Sequence, residues 1–366
     1  MTGWVKGIRL AKAVALAAFL WTGVSAAAFA DGFDVGMQYY RAGLYEDALP
    51  FVRQAAEDGN DKAMYQMGEF YFYGCRGLER DRAVALDWYR RSAEAGNVQA
   101  FFTLGQLYSQ GRGVERDRAK AARYYWEAAS AGHAGAQNNL GALCARGKGV
   151  QKDEALAAGW LKKSAGQGNV RAMGSYGYFL SEGRGVERDD WEAVKWLSRA
   201  SAAGYRPASV RLAVMMEEGR GTRRDAGGAF DIHMQMARAG SPLSLYRLGR
   251  MYERGEGTAQ NREKAFELYT LAAQKNMPDA QLRLGEWYAD GIHVKRDDAK
   301  ALEFFRQAAA GNRGEAMYRL GQFYEAGRAT GRDRGQARMW YERAAQAGHP
   351  AAKARLGEGP VQAGLN

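Results

Sequence analysis

Apolar and small residues recur along this chain at fixed intervals. A large apolar residue followed by glycine stands at Met67-Gly68, Leu104-Gly105, Leu140-Gly141, Tyr176-Gly177, Leu248-Gly249, Leu284-Gly285, Leu320-Gly321 and Leu356-Gly357, and Leu212-Ala213 fills the one gap. The first step between these glycines is 37 residues and every later one is 36. Four positions before each apolar residue comes a small one (Ala63, Ala100, Ala136, Ala172, Ala208, Ser244, Ala280, Ala316), and three after the glycine a larger one, most often tyrosine. Spacings of three and four place such positions on one face of a helix. The pattern predicts a helix A in every period.

A loop of the form Gly-x-Gly-Val-x-x-Asp follows, as at 111–117 and 183–189. Its last position reads Asp81, Asp117, Asp153, Asp189, Asp225, Asn261, Asp297 and Asp333. Side chains of this kind accept a hydrogen bond from the free amides at a helix N-terminus. A helix B is therefore predicted to start at each. Its core column is read as Trp88, Tyr124, Trp160, Trp196, Ile232, Leu268, Phe304 and Trp340. It ends at Gly96, Gly132, Gly168, Gly204, Gly240, Asn276, Asn312 and Gly348, a column holding only the two residues that tolerate a left-handed helix end. Each glycine inside helix A costs about 0.8–1 kcal/mol relative to alanine, so these glycines are read as sites of close helix–helix approach.

These columns resemble the Sel-one-like repeat family, a branch of the tetratricopeptide-like solenoids, and the period at 100–135 matches almost completely. The resemblance implies an all-α, right-handed superhelical solenoid of antiparallel helix pairs. The expected organisation is a cleavable leader over 1–30, a shorter tetratricopeptide-like capping unit over 31–62, eight repeats over 63–351, and a capping helix with a tail over 352–366. Repeat five departs at Ala213 and Met216, and repeat eight has Ala329 where the loop's second glycine belongs. Pro50 falls inside the second helix of the capping unit and should kink it.

The leader rests on Lys6, Arg9 and Lys12, an uncharged stretch from Ala13, and Ala28-Phe29-Ala30 before Asp31. Cleavage after Ala30 would leave a periplasmic or secreted protein without stable membrane insertion. Three of the +11 net charges lie in the leader, leaving +8. The basic loop columns (Arg112, Lys148, Arg184, Arg220, Arg328) are interleaved with acids, and with export this disfavours nucleic acid. Cys75 and Cys144 stand two repeats apart, too far to pair, so both are read as free thiols with Cys144 buried; Cys75 could still join another chain.

No catalytic constellation emerges. His133, His233, His293 and His349 lack metal-ligand spacing, no Ser elbow or Ser-Lys pair occurs, and the phosphate-loop likeness at 141–149 has the wrong glycine spacing. No enzyme activity, cofactor or metal is expected. What remains is the concave face that helix A lines in such solenoids. Residues beside the packing columns nominate Tyr65, Phe102, Asn138, Tyr178, Tyr246, Arg250 and Tyr318 for holding a segment of an envelope protein. Relatives by resemblance act as exported adaptors in signalling, envelope or exopolysaccharide machinery. A second reading is direct binding of exopolysaccharide or peptidoglycan, and a third, disfavoured, is a hydrolase.

Overall fold

A computed structural model describes residues 32–75 and 77–357. The predicted leader and the tail after Gly357 lie outside the described residues. Among the described residues there are nineteen helices and no strand. A capping pair, α1 (Gly32–Arg41) and α2 (Tyr45–Glu57), precedes eight A/B pairs. Helices α3 (Asp61–Tyr73), α5 (Val98–Gln110), α7 (Ala134–Arg146), α9 (Val170–Glu182), α11 (Arg206–Glu218), α13 (Pro242–Arg254), α15 (Pro278–Asp290) and α17 (Gly314–Ala326) are the A helices. Their partners are α4 (Arg82–Glu94), α6 (Arg118–Ser130), α8 (Glu154–Gly166), α10 (Asp190–Ala202), α12 (Ala226–Arg238), α14 (Arg262–Gln274), α16 (Asp298–Ala310) and α18 (Arg334–Gln346), and α19 (Pro350–Gly357) closes the series. The chain forms two compact units that meet in sequence at Asn169 and Val170.

The punctuation predicts the helix boundaries. All eight residues of the Asp/Asn column cap a helix B, each accepting from one or two amides of the first turn, as Asp117 does from Ala119 and Lys120 at 2.9 Å each. The column at the far end adopts positive φ throughout, from 57° at Asn276 to 94° at Gly132. In the loops, the first glycine ends helix A with φ near 70°, for instance 72° at Gly111 and 67° at Gly219. The second lies against the preceding repeat: a Cβ on Gly149 would enter the main chain of Arg118, and one on Gly221 that of Asp190. His293 and Ala329 hold this place in repeats seven and eight at φ 59° and 56°. The glycines of the phosphate-loop likeness are thereby accounted for as turn and packing residues.

Helix-interior glycines do face a neighbour. A Cβ on Gly68 or Gly105 would lie 2.6 Å from the ring of Tyr89 or Tyr125; on Gly249 or Gly285, 2.6 Å from Tyr269 or Phe305. In repeats three and four the partners are Leu161 and Leu197, at 3.0 and 2.8 Å. Gly36 plays the same part against Val52 in the capping pair. These partners correct the expected core column of helix B. The fully buried position is one residue later than predicted: Tyr89, Tyr125, Leu161, Leu197, His233, Tyr269, Phe305 and Tyr341 are all at most 5% exposed. In the predicted column only Trp88 and Trp160 are buried, and the rest are half-buried. Helix α2 runs through Pro50.

Candidate functional site

The capping and glycine contacts fix helix A directly over the buried ring of helix B, and this decides where the nominated residues sit. Three residues before the glycine, an aromatic lies on that ring with nearly the same geometry in four repeats. Tyr65 meets Tyr89 at 5.6 Å and 46°, Phe102 meets Tyr125 at 6.0 Å and 46°, Tyr246 meets Tyr269 at 5.8 Å and 41°, and Tyr318 meets Tyr341 at 5.4 Å and 45°. All four are half-buried. Burial pushes the Tyr65 and Tyr246 phenols up, and nearby Arg250 works against this at Tyr246.

Two of these rings carry a second cover. His133 caps α7 by accepting from Ala136 through Nδ1 at 3.1 Å, and its ring stacks on Phe102 at 4.2 Å. His349 repeats the arrangement, capping α19 at Ala352 and stacking on Tyr318 at 4.6 Å. The histidine column therefore serves as helix caps, alongside Asn60, Asn97 and Ser241. Among the described residues, no group of three or more His, Cys, Asp or Glu is placed to hold a metal ion.

In the first unit, Tyr65, Phe102 and Asn138 lie on successive A helices. The Tyr65 hydroxyl is 3.2 Å from Thr103 Oγ1, beside Phe102, and Asn138 bonds to Asn139. In the second unit, Tyr246 and Arg250 lie one turn apart on α13, whereas Tyr178 and Tyr318 are each two repeats away. Tyr178 is the exposed member, 38% accessible, with the guanidinium carbons of Arg184 and Arg211 5.7 and 5.4 Å from its centroid.

The second unit's A helices also carry a device that was not predicted. Where the helix B ring is Tyr269, its hydroxyl donates to Glu253 Oε2 at 2.7 Å, and Arg283 of the next helix A binds the same carboxylate. Tyr341, Glu325 and Arg355 repeat the triad, with bonds of 2.7–2.8 Å. In repeat five the ring is an imidazole. His233 Nε2 lies 2.7 Å from Glu217 Oε1, at ion-pair distance without hydrogen-bond alignment, while Arg247 bonds Glu217 Oε2 at 3.0 Å. His233 Nδ1 is 3.2 Å from the hydroxyl of Ser244, which stands in the small column. The physical chain is short: a buried hydroxyl or imidazole needs a partner, the carboxylate supplies it, and the carboxylate needs a cation. Burial would raise the carboxyls of Glu253 and Glu217, but hydrogen bonds from Arg283 and Tyr269 at the first, and the adjoining His233 with the hydrogen bond from Arg247 at the second, hold both below the usual range.

Repeat seven tests this logic. Its ring is Phe305, its carboxylate position is Ala289, and Arg319 turns instead to Glu286 and Glu315. The signal was available in the second unit as two columns that vary together, the ring and the residue four after the glycine, beside a third, two before the next glycine, that stays arginine. Loop arginines are engaged too. Arg220 bonds Asp190 at 2.8 Å and the Ser181 carbonyl; Arg328 bonds Asp298 at 2.6 Å and the Ala289 carbonyl at 2.7 Å. Hydrogen bonds from Arg188 and Arg220 hold the Asp190 carboxyl down at about 2. These members of the basic column tie one repeat to the next rather than standing free in solvent. Both cysteines are free thiols, Cys144 buried and Cys75 half-buried.

Comparison with known proteins agrees with this architecture. A profile of the Sel1 repeat matches residues 61–97, 102–133, 134–169, 170–205, 207–241, 242–277, 278–312 and 314–349. The crystal structure of a Sel1 repeat protein from Oxalobacter formigenes is similar with a TM-score of 0.64 and 30% identity, over 94% of this chain and 99% of that one. That of c5321, a protective antigen of uropathogenic Escherichia coli displaying an SLR fold, is similar at 0.62 and 33%, over 87% and 68%. Among curated proteins, the ERAD-associated E3 ubiquitin-protein ligase component HRD3A of Arabidopsis thaliana is 30% identical over 69 residues, 19% of this chain. The match covers only 10% of that plant protein, and that to its counterpart HRD3B, 43% identical over 47 residues, only 8%. With eight matched repeats, the chain belongs to the Sel1 repeat family.

Proposed function

We propose that this chain is an exported, non-catalytic scaffold that binds an extended segment of an envelope protein on the helix A face. Sel1 repeat proteins are generally protein-interaction scaffolds, and a scaffold role is the part the family supports directly. The observation that carries the finer reading is the aromatic layer. Half-buried rings at Tyr65, Phe102, Tyr246 and Tyr318 are held rigidly on a buried ring, so little side-chain entropy remains to be lost on binding. The plant relatives are named as components of a ligase assembly, which accords with a scaffold. A polypeptide is favoured over a sugar ring because glycan stacking needs an open aromatic face, and His133 and His349 occupy those of Phe102 and Tyr318.

Export rests on the leader over 1–30; among the described residues no helix is long and apolar enough to cross a membrane. The test is capture from an envelope extract, identification of the captured protein, and titration of the purified pair. Replacing Tyr246 and Tyr318 with Ala should weaken binding at least tenfold while leaving helicity intact, in line with aromatic anchors worth about 2 kcal/mol or more. Unchanged affinity in that variant sinks the helix A reading, and saturable binding of peptidoglycan fragments by the intact protein would favour the glycan.

A further inference from the structure

A charged cleft of about 680 Å³ opens in repeat two, between α4, α5 and the loop that enters α6. Four cations line it: Arg90 on α4, Arg116 in the loop, and Arg118 and Lys120 in the first turn of α6. Two carboxylates, Glu115 and Asp117, stand against them, so the lining carries a net charge of +2. Asp117 is already engaged by the amides of Ala119 and Lys120, at 2.9 Å each. The donors left facing the cleft are therefore side chains and not the amides of the helix end.

Other repeats neutralise the same place from within. In repeat four Asp190 stands where repeat two has Arg118, pairing with Arg188 of its own loop at 2.6 Å and with Arg220 of the next at 2.8 Å. Asp298 of repeat seven pairs likewise with Arg296 and Arg328, at 3.0 and 2.6 Å. In repeat three Glu154 takes Lys152 at 3.1 Å. Repeat two reverses the charge. Arg118 replaces the acid, Arg116 precedes it by two residues, and Lys148 holds the position of Arg220 and Arg328 in the following loop. Among the described residues the Arg118 guanidinium has no partner. Of repeats two to eight, only repeat two has a cation in all four columns.

The other three cations are held in place by contacts that use few of their donors. Arg90 gives one N–H to the Tyr108 hydroxyl at 2.9 Å, and Arg116 gives Nε–H to the Ser109 carbonyl at 3.1 Å. Lys120 Nζ lies 5.6 Å from the Tyr108 ring centre and 3.8 Å from the Asp117 carboxylate. Like charges around one opening repel, and an anion between them removes that cost.

We propose that this cleft binds a dianionic phosphate group, carried by a phosphomonoester. The net charge of the lining matches a dianion, and guanidinium forks match phosphate oxygens in pairs. A carboxylate would leave one positive charge over. None of the residues nominated on the helix A face lines the cleft, so its test is independent of the reading proposed above.

Calorimetric titration of the full chain with glycerol 3-phosphate gives the test, at pH 8, where the monoester is a dianion, and at low, constant ionic strength. Saturable binding is expected with a dissociation constant of about 1 mM or tighter. Arg118→Asp installs the residue of repeats four and seven, lets Arg116 pair within the loop, and should weaken binding at least tenfold. Lys120→Leu, the residue of repeat three, should also weaken it and decides if Arg118→Asp fails to fold. Arg262→Asp makes the same charge change in the same column of repeat six, where Met234 and Gln260 leave Lys264 as the other cation, and should change nothing. The proposal is overturned if no saturable binding occurs up to about 10 mM, if the monoanion dimethyl phosphate binds equally, if both cleft variants bind like the parent, or if Arg262→Asp weakens binding as much. Retention on phosphatidylcholine vesicles containing phosphatidic acid, lost in Arg118→Asp, would assign the phosphate to a lipid headgroup; binding of glycerol 3-phosphate without that retention would assign it to a soluble phosphomonoester.

Discussion

Gly285→Ala should destabilise this protein, although helix propensity alone says the reverse. Alanine is favoured over glycine inside a helix by about 1 kcal/mol. The new methyl, however, would sit 2.6 Å from both Cδ1 and Cε1 of Phe305. Carbon atoms in contact prefer about 3.5–4.0 Å, so the ring would have to retreat by about 1 Å. It has little room to do so, being 1% exposed with its edge against Phe323 at 5.3 Å and 81°. Overpacking of this kind costs about 1–3 kcal/mol, and a trapped ring argues for the upper end, giving a net loss of about 2 kcal/mol. Phe305→Ala alone should cost about 3–5 kcal/mol, but in that background Gly285→Ala becomes a gain of about 1 kcal/mol because the obstacle is gone. The coupling of about 3 kcal/mol is measurable by urea unfolding of the four proteins. Amide exchange in α15 and α16 would localise it, since a repeat array need not unfold in one step. If Gly285→Ala stabilises the parent, or shifts both backgrounds equally, the packing account of these glycines is wrong.

Three further outcomes follow from the same contacts. Gly221→Ala should cost more than 2 kcal/mol, because its Cβ would enter the main chain of Asp190 at a φ of 64°, whereas Ala329→Gly at the same column should gain about 0.5–1 kcal/mol by relieving a left-handed alanine; thermal or urea unfolding compares them. Arg283→Ala leaves the Glu253 carboxylate, 14% exposed, with only Tyr269, and should cost about 1–3 kcal/mol, less than a fully buried pair because Arg283 itself is 32% exposed; Phe substituted for Tyr269 in addition should not add its full separate cost. Asp190 titrates at about 2 when folded and near 3.9 when unfolded, so its contribution is fully present above pH ~4 and disappears as the pH falls toward 2. Asp190→Asn should flatten that part of the stability profile, and an unaltered acid limb in urea titrations would remove Asp190 from the account.

Much of the fold was legible because its signals are local. A cap needs only its own side chain and the next three amides, so the Asp/Asn column located every helix B start. A left-handed helix end is a property of one residue's backbone, so Gly132 and Asn276 could be read as equivalents. The core of helix B was less legible. Trp88 and Tyr89 are both large and aromatic, and only the angle at which helix A meets helix B puts Tyr89 at 1% exposure beneath Gly68. The nominated Tyr246 and Tyr318 are surface residues by pattern and half-buried in fact, because the ring column of helix B, one residue past the predicted core column, gives them something to lie on.

By itself the sequence determined the period, the alternation of two helices, their limits and the places where backbone must approach backbone, since each follows from one residue's conformational freedom or hydrogen-bonding capacity. Only the tertiary structure decided which side chains, 30 residues apart, meet between successive A helices. Glu253 finds Arg283, and Glu217 finds Arg247, through packing of one repeat on the next that no single period contains.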